Sequence, residues 1–600
     1  MSQLTTLKRS RKWISLTMEL ISVHSHWGIK MNAPRGLPGE AFGRWLKSYR
    51  WPIFFALLYA ILVPIRGFWS PDEPDFAQAV REMVDRKEWV FPYFNGLIYT
   101  EKPILFYWLM KISNAVAIGL GGQPEPLNHL IPWALRLPSV LSSIFFLFFM
   151  KRWVHRFFSE ELSDRSVMIL GVLPLWLWQS QYIQIDMLFS VLLASSWMQW
   201  ISAYLLENGL APYRHDNEVS RLYQRSIVLL SLATLTKGPL APVLSIAVVV
   251  AFLLTQGKNF QLKQFKFLGL SALFLSIVLP WYVLAIYQAG WSYGYYLIIY
   301  QNIERALRAW DHIQPWWKYF EYALGDLFPW SFLLIPGIVN IFARKENRSP
   351  IAIFISLCFL VPFVLLSLSE SKQGKYLLMS FPFAAIIVAG FLDESQIAYR
   401  KVLRRLSSLT ILITPLILVL VFLGLALRTQ DIILIPVLPS IFYQPATSRF
   451  IYTLLTISFL GLVAVAYRLY SENLAMACKE LCVTLALVFL GAGYLGFPII
   501  EPLKNFKEWG DTVRPIINGH SVYFWRTVRG GALLYTNQSM REIHTRDSAL
   551  QIIPGNYLVT MASDWAEAIR QPLGSELLPA FESVTEVSAG SDRLILLRRK

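Results

Sequence analysis

The residues of this chain best suited to chemistry cluster in one polar stretch, Gly67 to Trp108, which carries Asp72, Glu73, Asp75, Glu82, Asp85, Glu88, Glu101 and Lys102 among many aromatics. Charged groups are costly in hydrocarbon, so a loop of this kind beside apolar segments reads as a site at a membrane surface. Asp72 and Glu73 open the loop's first amphipathic run, and Asp186, in QYIQIDMLFS, stands at the head of a later apolar segment. Two carboxylates so placed could serve a general base or bind a divalent ion. Lys237, in the tight turn TKGP, has few nearby chain partners and suits an anionic phosphate as a point charge. Lys372 and Lys375, in SESKQGKY, offer a second cationic arm, and NIER adds Glu304 and Arg305. Several Lys and Arg around a phosphate stabilise it both when bound and as a leaving group.

Each of these residues also has a structural reading. Asp72 follows Ser70-Pro71 and could be a helix N-cap, as could Asp186. Glu101-Lys102-Pro103 precedes Phe106, Tyr107 and Trp108, the pattern of interfacial snorkelling beside an aromatic belt. His312 lies in a Trp-rich stretch where lone histidines commonly satisfy local hydrogen bonds, although exposed aromatics there could stack on sugar faces. The chain has no HExxH, serine elbow, Walker loop or dinucleotide fingerprint.

The elements that must position these groups are membrane spans. Hydrophobic residues make up 55% of the 600, charged residues 16%, and mean hydropathy is +0.44, which no soluble globular chain of this size matches. The net charge of +16 comes from short basic clusters between apolar runs, the signature of cytoplasmic loops rather than of nucleic-acid binding. Three cysteines, Cys358, Cys478 and Cys482, make neither a disulfide framework nor a thiolate metal site.

About thirteen apolar windows are long enough to span: 50–67, 131–150, 166–183, 187–206, 226–238, 239–256, 267–288, 328–343, 350–368, 376–392, 407–427, 450–468 and 481–499. Ile104 to Leu120 is broken by Lys111 and Asn114 and reads as an interfacial helix. With the N-terminus inside, the clusters at Lys151, Lys258, Lys345 and Arg400 all fall in the cytoplasm. The candidate site residues then share the external face, as suits an enzyme better than a transporter, which would bury such groups near the midplane.

The division that follows is a basic cytoplasmic segment 1–50, a transmembrane domain 51–500 with large external loops at 67–130 and 289–327, and an external soluble α/β domain 501–600. In that last domain SVYFWR, ALLYTN, NYLVTMA and LILLRR read as strands, and Asp564 to Arg570 as a helix capped by Ser563.

The order and spacing of Asp72-Glu73, REM (from Arg81), Y-x-EKP (from Tyr99), RLPS (from Arg136), Asp186, TKGP, NIER, H-x-x-PWW (from His312), PW (Pro329) and SK-x-x-KY (from Ser371) resemble the bacterial lipid-linked-sugar transferases related to aminoarabinose transferase and protein O-mannosyltransferase. The resemblance covers about Trp51 to Gly390. It implies the C-type glycosyltransferase fold and a multi-pass inner-membrane location. It further implies a polyprenyl-phosphate-sugar donor and inverting transfer, on the non-cytoplasmic face, to a lipid (as in lipid A modification) or to a protein (as in mannosylation). Under it Asp72 is the acid-base or acceptor-orienting carboxylate, Lys102, Lys237 and Lys372 contact the donor phosphate, and Glu101 and His312 match positions for a divalent metal ion; Glu73 and Asp186 join Asp72 as candidate catalytic carboxylates, and Arg305 and Lys375 join the lysines as candidate phosphate contacts. The chain departs from the pattern at Pro74, Asp75 and Phe76, where Arg and Tyr are usual, and at Ile104, where the second proline of EKPP would stand. A lipid-carrier flippase, or an inactive binding protein that keeps the fold, are the alternatives; transfer of a labelled sugar separates them.

Overall fold

The structure, a computed structural model, describes residues 38–211, 218–257, 267–304, 308–309, 311–344, 347–395, 401–429, 445–570, 576–589 and 592–600. Arg305, residues 1–37 and the basic residues Lys258, Lys345 and Arg400 lie outside the described residues.

The chain forms a bundle of apolar helices that carries a polar cap. Among the described residues eight helices are long and apolar enough to cross a membrane, or nine if one bent pair counts as a single span. The difference from about thirteen windows has local causes. The first window folds as α1 (Arg50–Leu62), which with the turn after it is too short to span straight. The window at 166–183 is split at Leu173, with helices Glu160–Val172 and Pro174–Ser180 on either side, because Pro174 can start a helix but not continue one.

The helices and one hairpin that frame the site follow in chain order. After α1 the chain leaves the bundle, forms α2 (Asp72–Asp85), a short hairpin of β1 (Tyr93–Phe94) and β2 (Leu97–Ile98), and then α3 (Leu105–Gly119). α3 packs along α4 (Pro132–Phe157), and its Lys111 ties it to α2 by donating to the carbonyls of Met83 (3.0 Å) and Glu88 (2.7 Å). α5 (Ile185–Glu207) is buried over most of its length and packs on α6 (Glu218–Lys237), which turns through Gly238 into α7 (Leu240–Thr255). Gly238 has φ +86°, a conformation that favours glycine, and Asn302 packs against it. Further on, α8 (Lys318–Asp326) and α9 (Ser331–Ala343) meet at 108°, a broken span or re-entrant loop.

The C-terminal region is a five-stranded sheet in the order β4-β3-β5-β7-β6, from β3 (Val522–Trp525), β4 (Arg541–Ile543), β5 (Tyr557–Met561), β6 (Phe581–Ala589) and β7 (Asp592–Arg599). β3 runs parallel to β4 and β5, and β7 antiparallel to β5 and β6. Three of the four expected strands are present, but ALLYTN is helical, forming most of α10 (Gly530–Thr536). Its apolar residues are all buried, and a short continuous apolar run carries no periodicity to distinguish helix from strand. The helix expected at Asp564 begins at Ala562, so Ser563 lies inside its first turn rather than at the cap.

Two large hydrophobic cores result, beside smaller ones such as that of Trp525, Trp565 and Phe581 within the C-terminal domain. One lies among the spans; the other joins α2 and α3 to the C-terminal domain through residues such as Phe68, Val80, Met83, Tyr107, Trp509, Phe524 and Leu533. A polar seam reinforces this second contact. The Gly530 amide donates to Asp75 (2.8 Å), Arg81 to Asn537 (3.0 Å), and Asn95 exchanges two hydrogen bonds with the backbone of Met540 (2.7 and 3.1 Å).

Candidate active site

Asp72 is the first residue of α2, and its carboxylate turns away from the helix. The residue at the N-cap is Pro71, and no side chain caps these amides. Asp72 instead accepts a hydrogen bond from the Gln184 amide and faces the Lys375 ammonium at 3.5 Å. Gln184 directly precedes α5, whose first turn holds Asp186. The buried Asp186 carboxylate is ion-paired with Lys237, the last residue of α6, and feels the positive charges of Lys375 and Lys102 as well. The Lys237 ammonium also lies over the ring of Tyr376, 4.2 Å from its centre, a favourable cation–π placement.

Two carboxylates and the ammoniums of Lys237 and Lys375 therefore meet where α2 and α5 start, α6 ends and the turn Gly374–Ser380 passes, and the charge of Lys102 reaches Asp186 as well. Opposite charges hold one another in place here, so each ammonium is already oriented before an anion arrives.

A cleft of about 330 Å³ opens beside Asp72. Trp69, Trp178, Tyr182 and Tyr322 form its aromatic walls, and Lys375, Lys504 and Asp326 bring charge to it. Its mixture of aromatic faces and a few charges is the lining expected of a site for polar carbon-rich ligands such as sugars.

Glu73 has a different setting from its neighbour. It is fully buried and takes both guanidiniums of Arg66 (2.6 and 3.1 Å) and Arg136 (2.7 and 3.0 Å), with the amides of Trp69 (2.9 Å) and Ile183 (3.1 Å). Burial alone would push its carboxyl upward, but the two guanidiniums hold it down at about 2. Every lone-pair direction is used, so this carboxylate joins α2 to α4 and to the chain before α5. Arg66 and Gln184 carry no motif that singles them out; Arg136 belongs to RLPS, whose role is now visible as half of this buried clasp.

The remaining candidates lie apart from the string of charges. Lys372 is buried, and its ammonium is held by the carbonyls of Gln314 (3.1 Å) and Ser369. Together with the Lys372 amide bonded to the His312 carbonyl (3.0 Å) and the bridge between Ile313 and Ser371, this clasps two loops together. His312 itself is half-exposed with φ +52° and stands 3.8 Å from Asp311. Glu101 is exposed, and its charge acts on Tyr99, Tyr107 and Asp75. Among the described residues no three His, Cys, Asp or Glu side chains gather to hold a metal ion. Glu101 and His312 are thus not by themselves a complete donor set.

These features define a polytopic helical membrane protein of the C-type glycosyltransferase fold, with a charged cleft under its polar cap. The fold matches the crystal structure of ArnT from Cupriavidus metallidurans bound to undecaprenyl phosphate, with a TM-score of 0.69 at 17% identity over 92% of this chain and 98% of that one. It also matches, at a TM-score of 0.50 and 11% identity, the archaeal oligosaccharyltransferase AglB from Archaeoglobus fulgidus, covering 90% of this chain and 73% of the other. In sequence the chain is 29% identical over 347 residues to the undecaprenyl phosphate-alpha-4-amino-4-deoxy-L-arabinose arabinosyl transferase of Shewanella sediminis, covering 58% of this chain and 60% of the relative. It is 27% identical over 357 residues to the transferase of the same name from Aeromonas hydrophila, again covering 58% and 60%. The chain thus aligns with about three-fifths of the length of these curated relatives. No family model matches.

Proposed function

We propose that this protein is an integral membrane glycosyltransferase that moves a sugar from a polyprenyl-phosphate donor to an acceptor. The observation that carries the reading is the paired arrangement Asp72–Lys375 and Asp186–Lys237 beside an aromatic cleft, in a fold shared with a structure that holds undecaprenyl phosphate. In this reading the donor phosphate enters among Lys102, Lys237 and Lys375 and competes with Asp186 for the Lys237 ammonium. The acceptor hydroxyl or phosphate oxygen attacks the anomeric carbon from the opposite side. As the new carbon–oxygen bond forms, the bond from that carbon to the donor phosphate oxygen breaks, and polyprenyl phosphate leaves with inversion. Asp72 orients the acceptor and takes its proton where it carries one; the lysines stabilise the negative charge growing on the leaving phosphate. Arg305 joins these phosphate contacts in the same reading. A metal at Glu101 and His312 remains a separate proposal, requiring a ligand from the substrate to complete its shell.

The acceptor is a lipid or a protein. The active face and the C-terminal domain lie on the non-cytoplasmic side of the inner membrane, a placement supported by the basic clusters on the opposite ends of the spans. Purified protein incubated with a radiolabelled polyprenyl-phosphate sugar and membrane lipids tests the reading. Label should appear in acceptor together with free polyprenyl phosphate; label that stays on the donor, or merely changes leaflet, would refute it.

A further inference from the structure

Part of the polar stretch Gly67 to Trp108 faces a second pocket, apart from the cleft beside Asp72. It has a volume of about 320 Å³, at the low end of the range for small-molecule sites, and lies among α2, the hairpin turn and the end of α10. At about 3.6 residues per turn, Gln78, Arg81, Glu82 and Asp85 share a face of α2 turned away from Asp72. Arg81 and Glu82 belong to REM, and the transfer chemistry above uses neither.

The pocket's wall carries polar atoms whose hydrogen-bonding capacity is unused. Gln78 and Arg81 are only 1% and 8% exposed, and among the described residues the Gln78 carbonyl oxygen and the Arg81 Nε make no hydrogen bond. Buried polar groups in proteins are nearly always satisfied, so a pair left open beside a pocket points to a ligand. Arg81 stands 3.9 Å from Asp85, and Arg86 3.7 Å from Glu82. Each pair is matched in charge but too far apart for a direct hydrogen bond. Two positive and two negative groups leave the lining neutral, so an anion would meet the carboxylates and a cation the guanidiniums. A hydroxyl suits all of them, because it accepts from a guanidinium while donating to a carboxylate or amide oxygen. Several hydroxyls on one rigid ring satisfy several such groups at a small cost in entropy. The Arg86 guanidinium is held ready by the Tyr93 ring, 4.4 Å from its centre.

We propose that this pocket is a binding site for a neutral saccharide of one or two rings, which is neither the donor nor the group transferred. The sugar bridges α2 and the C-terminal domain and adds to the seam made by Asp75, Arg81 and Asn95. The site stands independently of the transferase reading, since none of its residues lines the catalytic cleft.

Isothermal titration of the purified protein in phospholipid nanodiscs, free of sugar-headed detergent, tests the proposal with glucose, galactose, mannose, maltose and lactose. At least one of the five should bind saturably and raise the melting temperature, as a ligand of the folded state does. Arg86→Met, at an exposed position, should weaken that binding about 10- to 100-fold, and Gln78→Met about two- to tenfold, the ranges for hydrogen bonds to charged and to neutral groups. Both variants should melt near the wild-type temperature without sugar; if Gln78→Met does not fold, Arg86→Met alone decides. Asp72→Asn should bind the sugar as wild type does. Retention of the protein on the same sugar coupled to a resin would mark the ligand as the end of a larger glycan, and binding of the free sugar alone would mark it as a free saccharide. No saturable binding of any of the five, unchanged binding in Arg86→Met, or binding lost in Asp72→Asn would each overturn the proposal. None of these outcomes bears on sugar transfer, which the labelled-donor assay decides separately.

Discussion

Lys237, at the end of α6, and Asp186, in the first turn of α5, form an ion pair across two successive helices. The pair explains why a lysine can stand in a tight turn between apolar segments without reaching for water: its partner is carried by the neighbouring helix, and the Tyr376 ring covers its other side.

Lys237→Ala is expected to lower transfer by about two to three orders of magnitude, the effect of removing one electrostatic group from a developing charge. The single variant also strands Asp186, so the double variant Lys237→Ala/Asp186→Asn provides the control. It should recover the thermal stability of the wild type and stay inactive. Recovery of transfer along with stability would make Lys237 purely structural.

Glu73 should behave as a structural residue. Glu73→Gln leaves the guanidiniums of Arg66 and Arg136 buried without their counter-charge, and breaking such a cluster from one side costs about 3–5 kcal/mol. Thermal unfolding in detergent should show that loss, with activity per folded molecule largely retained. A variant as stable as wild type but without transfer would give Glu73 a direct chemical role.

Asp75 introduces a pH dependence into the contact between α2 and the C-terminal domain. Burial pushes its carboxyl up to about 7, helped by the charges of Asp72 and Glu101 and opposed by the Gly530 amide and by Arg529. The folded value thus lies above the unfolded one near 4, so this group's contribution is fully present below about pH 4 and is lost as pH rises through 7. Melting temperatures of wild type should fall over that window, and Asp75→Asn should flatten the fall. An unchanged profile in the variant would assign the titration to another group.

Sidedness can be read with reporters. A fusion after Lys600 should be external, and one at Asn347, beside the loop following α9, should be cytoplasmic. The opposite result for either would place the cleft and its proposed donor on different faces.

The sequence displays the charged site more clearly than the scaffold that surrounds it. Asp72, Asp186, Lys237 and Lys375 were all legible, because charges at the ends of apolar runs are few and conspicuous, and the structure brings these four together. Their pairings were not, since partners such as Asp186 and Lys237 are joined only by helix packing. Lys372 looked equivalent to Lys375 in the same short motif, yet the turn between them sends one ammonium to main-chain carbonyls and the other to Asp72. Glu73 and Asp72 likewise are neighbours in sequence on successive directions of one helix, so one faces the buried arginines and the other the cleft. Asp326 was invisible because only the bend after α8 carries it there. The helical bundle and terminal sheet followed from hydropathy and alternation, while α10 did not, because four consecutive buried residues, Ala532 to Tyr535, fit a strand equally well.

The most direct test of the central claim is sugar transfer by Asp72→Asn beside wild type, using the labelled polyprenyl-phosphate donor. Asn is close in size, can still accept from Gln184, and leaves the α2 terminus intact because Asp72 does not cap it. The variant should therefore express and melt as wild type does, bind donor, and transfer sugar at least about a hundredfold more slowly, the scale of lost general-base or orienting catalysis. Transfer at the wild-type rate by a fully folded Asp72→Asn protein would contradict the assignment of this cleft as the active site.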